Sequence, residues 1–196
     1  MPDLIIGNIN VTKLIEERIA KQKAKGFFMM EVPEERYFEI NIETIKVFVN
    51  MGFSGLYISL HRPYQNLLSL LKGKGIDTNK LFFIDAASSQ AEFNGKETAR
   101  CTYISKELNI DELTKAIYKL LPQIKAKDKF LFLDSITTLT LYQPLSEALR
   151  FAEFLSRTVK KEEVKCVVVN VARDLAQKKF IKDIVVQVDE VVNVIL

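Results

Sequence analysis

The stretch KFLFLDS, Lys129 to Ser135, limits the fold more than any other part of the chain. Phe130, Leu131, Phe132 and Leu133 form a continuous apolar run closed by Asp134 and Ser135. A half-solvated strand would alternate apolar with polar residues. An unbroken run between polar ends instead predicts a central parallel strand with helices over both faces. Asp134 then falls at the strand's carboxyl end, the edge at which open parallel sheets take their ligands.

On both sides of this run, helical and extended patterns alternate. Asn10 precedes Val11, Leu14, Ile15 and Ile19, which predicts a capped amphipathic helix over residues 10–24. Lys21, Lys23 and Lys25 suit its C-terminus, and Gly26 stops it and opens a strand from Phe27 to Val32. Pro33 and the acidic pair Glu34-Glu35 follow. A second helix is expected to start near Asn41, with Ile42, Ile45, Phe48 and Val49 on one face and Gly52 at its end. Next come a strand from Gly55 to Leu60, a helix carrying Tyr64, Leu67, Leu68 and Leu71, and a strand from Leu81 to Ala86.

Residues 87–100 are polar and read as an irregular loop, and residues 101–105 as a short edge strand. Asn109 and Glu112 have the spacing of a capping box at the head of a helix with Leu113, Ile117, Leu120 and Leu121 inside, ended by Pro122. After the central run, ITTLTLYQ leads to Pro144 at an expected first helical position, and Leu145, Leu149, Ala152 and Leu155 give that helix its buried face. A strand from Cys166 to Val171, a short basic helix from Asp174 to Lys182 and a last strand from Glu190 to Leu196 complete the pattern. The expected architecture is a doubly wound, mostly parallel α/β sheet with helices on both faces. It forms one domain over residues 1–196, in which residues 1–25 place an amphipathic helix ahead of the first strand.

A chain of 196 residues, 48% hydrophobic, is long enough for one well-buried core and short for two. Lys and Arg number 28 against 25 Asp and Glu, a small excess spread along the chain that is weak evidence for a nucleic-acid or membrane surface. Cys101 and Cys166 are far apart, so no structural disulfide is expected, and two cysteines with one histidine cannot build an ordinary zinc site. No stretch approaches the roughly 18 apolar residues of a membrane span. A cytoplasmic protein is expected.

GLYISLHRP, LFFIDAAS, KFLFLDSITTL and VDEVVNVIL stand in an order and approximate spacing that resemble the KaiC-like branch of the RecA superfamily of P-loop ATPases, including its many archaeal members. The resemblance covers residues 26–196 and implies a RecA-type nucleotide-binding fold. In that family the Asp at the end of the central strand, here Asp134, helps hold magnesium. A Walker A loop, GxxxxGK[ST], follows the first strand, so that backbone N–H groups close around phosphates. In this chain the matching segment is EVPEERYFEIN, Glu31 to Asn41, with no glycine, no lysine and four glutamates. Two like charges 4 Å apart repel by about 4 kcal/mol at surface-like dielectric, roughly a thousandfold in affinity. Arg36 offsets only part of that. Relatives also carry a glutamate pair after the second strand that can activate water; here His61 and Arg62 occupy those positions.

The resemblance therefore implies a degenerate member without catalytic residues or a cofactor, a pseudo-ATPase acting through protein contacts, with a protein partner or itself. The candidate vestigial pocket consists of Glu34, Glu35, Arg36, His61, Arg62, Asp134, Ser135 and Asn170, where Asn170 would mark a lost γ-phosphate sensor. One alternative is a small-anion or nucleotide binder using His61 and Arg62, helped by Ser59 or Ser135. A carboxylate metal site drawing on Glu34, Glu35 and Asp134 or Asp85 would suit magnesium or calcium, against the plainer reading of an acidic turn at a helix start. A DNA-associated accessory role would use Lys160, Lys161, Lys178, Lys179 and Lys182, against the plainer reading of a solvated face diluted by Glu162, Glu163 and Asp183.

Overall fold

The computed structural model describes residues 5–6, 9–21, 25–88, 98–105, 108–161, 163–176 and 179–194. Two short strands, β1 (Ile5–Ile6) and β2 (Ile9–Asn10), pair antiparallel ahead of α1 (Val11–Lys21). The main chain path then alternates: β3 (Gly26–Val32), α2 (Tyr37–Asn50), β4 (Ser54–Ser59), α3 (Tyr64–Gly73) and β5 (Leu81–Asp85). It continues with β6 (Cys101–Tyr103), α4 (Ile110–Leu120), β7 (Lys129–Asp134), α5 (Ile136–Tyr142) and α6 (Leu145–Lys160). Last come β8 (Cys166–Ala172), α7 (Arg173–Ala176), α8 (Lys179–Val185) and β9 (Glu190–Asn193).

Seven of these strands form one parallel sheet in the order β6-β5-β4-β7-β8-β3-β9. The central run Lys129–Asp134 sits mid-sheet, between β4 and β8, with every residue from Phe130 to Asp134 buried. Its side chains divide by alternation. Leu131 and Leu133 join Leu56, Ile58, Val167 and Val169 under α4 and α6, whereas Phe130 and Phe132 join Tyr57, Phe28 and Met30 under α2 and α3. Burial on both faces removes the polar alternation and leaves the continuous apolar signature. The two cysteines are buried and form no disulfide.

Several boundaries differ from the sequence reading, each for a local reason. Helix α2 starts at Tyr37, not near Asn41, because Pro33 leads into a 3-10 turn, Glu34–Arg36, that runs straight into the helix. Asn41 lies inside the helix, fully buried. Segment 136–142 is helical although three of its residues are threonines, since the Ser135 hydroxyl accepts from the Thr138 N–H at 3.1 Å and caps it. The capping box at α4 forms by half: Asn109 accepts from Asp111 and Glu112, while the Glu112 carboxylate accepts instead from the Ser105 N–H at 2.9 Å. Within the expected helix from Asp174 to Lys182, the described residues fall in α7 and α8, with residues 177–178 outside the described residues, and the last strand ends at Asn193. Residues 89–97, most of the expected loop, and residues 22–24 of the first helix lie outside the described residues.

Candidate functional site

Parallel register aligns the strand ends at one edge. Ser59 pairs in register with both Asp85 and Asp134, and Val32 pairs with Ala172. Above that edge opens a cavity of about 830 Å³. Glu34, Glu35, His61, Arg62, Asp134 and Ser135 line it, so six of the eight expected residues come together. Arg36 does not: its guanidinium turns along α2 to pair with Glu39. Nor does Asn170, which is fully buried and donates to the Asn41 side chain. Tyr37, Phe38, Thr137, Thr138, Leu141 and Asp174 line the cavity without having been read as site residues. Placing the start of α2 at Pro33 would have flagged the first two.

The two strand-end aspartates have different roles. Asp85 is structural: Oδ2 accepts from the Tyr64 N–H at 2.7 Å, Oδ1 from the Ala87 and Ser88 N–H groups at 2.9 and 2.8 Å, and the Ser88 hydroxyl also donates to it. The capping turn that a strand-end Asp can make is therefore built by Asp85. Asp134 is 2% exposed and makes one hydrogen bond, from the Tyr57 hydroxyl to Oδ2 at 2.8 Å, while Oδ1 has no partner. The helix that follows is capped by Ser135 instead. The Asp134–Ser135 peptide is cis.

Three further buried polar atoms lack partners: the Tyr37 hydroxyl, Asn41 Nδ2 and Asn170 Oδ1. The Tyr37 hydroxyl faces Asp134, Ser135 and Asn41 without closing a hydrogen bond. Burial, reinforced by the Asp134 carboxyl, pushes the Tyr37 and Tyr57 hydroxyls well above the usual phenol range, so both stay protonated. Burial also raises the Asp134 carboxyl, against the opposing hydrogen bond from Tyr57 and the charge of His61. The folded state thus binds that proton more tightly than the unfolded chain. Stability falls as pH rises from the ordinary 3.8 through the raised value. Asp134→Asn, which keeps an acceptor for Tyr57, is expected to stabilise the protein by about 1 kcal/mol at neutral pH. In thermal unfolding that is about 2–4 °C, shrinking to nothing in acid below the ordinary carboxylate range. A loss of stability at pH 7 would contradict it.

At the cavity wall, His61 Nε2 meets the Thr138 hydroxyl, itself 3.0 Å from Ser135 Oγ. The Arg62 guanidinium lies 3.8 Å from the centre of the Phe38 ring. Ser59 is occupied by the turn, donating to the Arg62 carbonyl at 2.7 Å, and so does not assist an anion site. Among the described residues no group of three or more His, Cys, Asp or Glu side chains could hold a metal ion, so the carboxylate set read from the sequence is not assembled. Lys160, Lys161, Lys179 and Lys182 are exposed and none lines the cavity; Lys178 lies outside the described residues.

Two backbone amides at the head of α2 have partners within the turn. The Arg36 N–H donates to the Pro33 carbonyl at 3.3 Å and the Tyr37 N–H to the Glu34 carbonyl, so both amides are used within the turn. The exposed carboxylates of Glu34 and Glu35 lie in the first turn, where their negative charge opposes an anion. Glu34, Glu35, Asp134 and Asp174 face one arginine across the cavity.

No protein-family model matches the chain, and no curated protein matches its sequence. Solved structures do. An uncharacterised protein of Pyrococcus horikoshii, PH0321, in complex with an unknown peptide, is 13% identical, with a TM-score of 0.64 over 89% of this chain and 81% of its own. The KaiC-like protein PH0186 of the same archaeon is 16% identical, with a TM-score of 0.53 over 81% of this chain and 66% of its own. The flagellar accessory protein FlaH of Methanocaldococcus jannaschii is 14% identical, with a TM-score of 0.57 over 86% of this chain and 70% of its own. The chain therefore has the RecA-type fold of KaiC-like proteins. No described helix is long and apolar enough to cross a membrane.

Proposed function

We propose that this chain keeps the KaiC-like framework without its nucleotide chemistry and acts as a pseudo-ATPase through protein contacts made at the carboxyl edge of the sheet. The observation that carries the reading is the turn Glu34–Arg36, whose succeeding amides are already hydrogen-bonded and whose side chains are acidic where relatives cradle phosphate. A second support is the open cavity of about 830 Å³ at that edge, room enough for a few side chains of a partner. A third is that the neighbour PH0321 was crystallised with a peptide.

Arg62 favours one competing reading, a small anion held over Phe38. Three exposed or rim carboxylates, Glu34, Glu35 and Asp174, oppose it. Thermal unfolding with millimolar Mg-ATP tests the proposal. A site with micromolar affinity would add about 4 kcal/mol at a thousandfold excess of ligand over Kd, roughly 8–16 °C in a chain of this length. The expected shift is under about 1 °C. A shift of the larger size would refute the proposal, and a shift with inorganic phosphate that Arg62→Glu removes would install the anion reading in its place.

A further inference from the structure

The carboxyl-edge cavity joins two features that the missing phosphate cradle does not explain. One is a buried carboxylate whose hydrogen bonding is incomplete. Asp134 is 2% exposed and its Oδ1 is unpaired, as are the Tyr37 hydroxyl, the Asn170 Oδ1 and one donor, Asn41 Nδ2. Native proteins rarely leave such groups unmatched, so each calls for a partner. The other feature is apolar. Leu141 and Tyr142, at the end of α5, are 74% and 52% exposed, and Leu141 is part of the cavity wall. Glu34, Glu35 and Asp174 also line the cavity, against the single arginine Arg62, so its wall is net negative.

An anion or a nucleic acid would meet that charge unfavourably. A bare metal ion would leave Leu141 and Tyr142 unused. A lysine side chain brings three N–H donors and no acceptor, and its carbon stem packs on apolar and aromatic walls while its head reaches a carboxylate. We infer that the cavity receives a cationic side chain, lysine above all, carried on an extended segment of a partner protein, with its ammonium at Asp134 and an adjacent large apolar residue over Leu141 and Tyr142. This rests on the protein-contact reading above and specifies the chemistry of the partner. Ion pairing also recovers the cost that burial puts on ionised Asp134.

The test is fluorescence anisotropy with the labelled nonapeptide Gly-Ser-Leu-Lys-Phe-Leu-Lys-Ser-Gly and its counterpart with both lysines acetylated, each titrated with the full chain. The lysine peptide is expected to bind saturably, and acetylation to weaken it by about tenfold or more. Asp134→Asn should weaken binding about as much, in a protein at least as heat-stable as the parent, a combination that a merely structural role for Asp134 would not give. Leu141→Ser should weaken both peptides by about threefold, and raised salt should weaken the lysine peptide alone. Equal binding of both peptides would overturn the inference, as would displacement of the peptide by millimolar magnesium in a manner lost with Asp134→Asn, which would make a divalent cation the occupant. No binding of either peptide, with no response to Mg-ATP, would overturn the inference and leave the proposed function standing. Saturable Mg-ATP binding would overturn that function instead.

Discussion

Replacing Asp85 by alanine is expected to destabilise the protein by about 4 kcal/mol, one of the two largest single-residue effects in this fold. Helix α3 has no capping side chain of its own, since Pro63 precedes it. The Tyr64 N–H is satisfied from the neighbouring strand by Asp85, 21 positions along the chain. The same carboxylate closes the turn after β5 through the Ala87 and Ser88 amides. Tyr64, Ala87 and Ser88 are all buried, so alanine would leave three amide donors facing neither water nor an acceptor. Each orphaned donor costs about 1–3 kcal/mol, and the hydroxyl of Ser88 can recover only one. Urea unfolding should show the midpoint falling with little change in slope. A loss under about 1 kcal/mol would mean that these amides find other partners. The contrast with Asp134→Asn, which should stabilise, separates two aspartates that share a position at the end of a strand.

Gly55→Val is expected to cost about 3 kcal/mol by the opposite route, overpacking. Gly55 pairs in register with Phe130 on the central strand, and a Cβ added there would stand 2.3 Å from the Phe130 ring. That ring is fully buried and stacks on Phe48 at 4.7 Å between centroids, so it has nowhere to swing. Interiors packed at crystal density transmit such a clash to the backbone. In a chain of this size the melting temperature should fall by roughly 6–12 °C. Phe130→Leu makes room beside Gly55. The double variant should therefore be less damaged than the sum of the two, by about 1 kcal/mol or more. Simple additivity would show that the contact with Phe130 is not the source of the loss.

Much of this architecture was legible from residue pattern. The run Phe130–Leu133 reads as a doubly covered strand because both of its faces are buried, and it sits at the middle of the sheet. The order of strands and helices follows from glycine and proline punctuation, and the RecA-type fold from the tags at the strand ends. What the pattern hid was mostly made by contacts distant in sequence or by backbone alone. Asn41 looks like a cap, yet it is buried in α2 against Asn170, 129 positions away. The true start of α2 is a backbone turn with no side-chain cap to announce it. Threonines at 137, 138 and 140 mask α5, because β-branched residues lower helix propensity unless a cap and tertiary packing override it. Asp85 and Asp134 both close an apolar run, and the groups that reach them tell them apart: the Tyr64, Ala87 and Ser88 amides at Asp85 and the Tyr57 hydroxyl at Asp134. Arg36 and Asn170 have the chain positions of cavity residues, but Arg36 pairs with Glu39 and Asn170 with Asn41.

In the proposed reading, the turn at Glu34–Arg36 offers no free cradle for a triphosphate. Backbone amide resonances of residues 34–38 report on it directly, in isotopically labelled protein titrated with Mg-ATP. Those resonances are expected to stay in place up to millimolar nucleotide, beyond the small drift that added salt produces. Saturable movement centred on Arg36 and Tyr37 at micromolar nucleotide, abolished by Asp134→Ala, would contradict the claim.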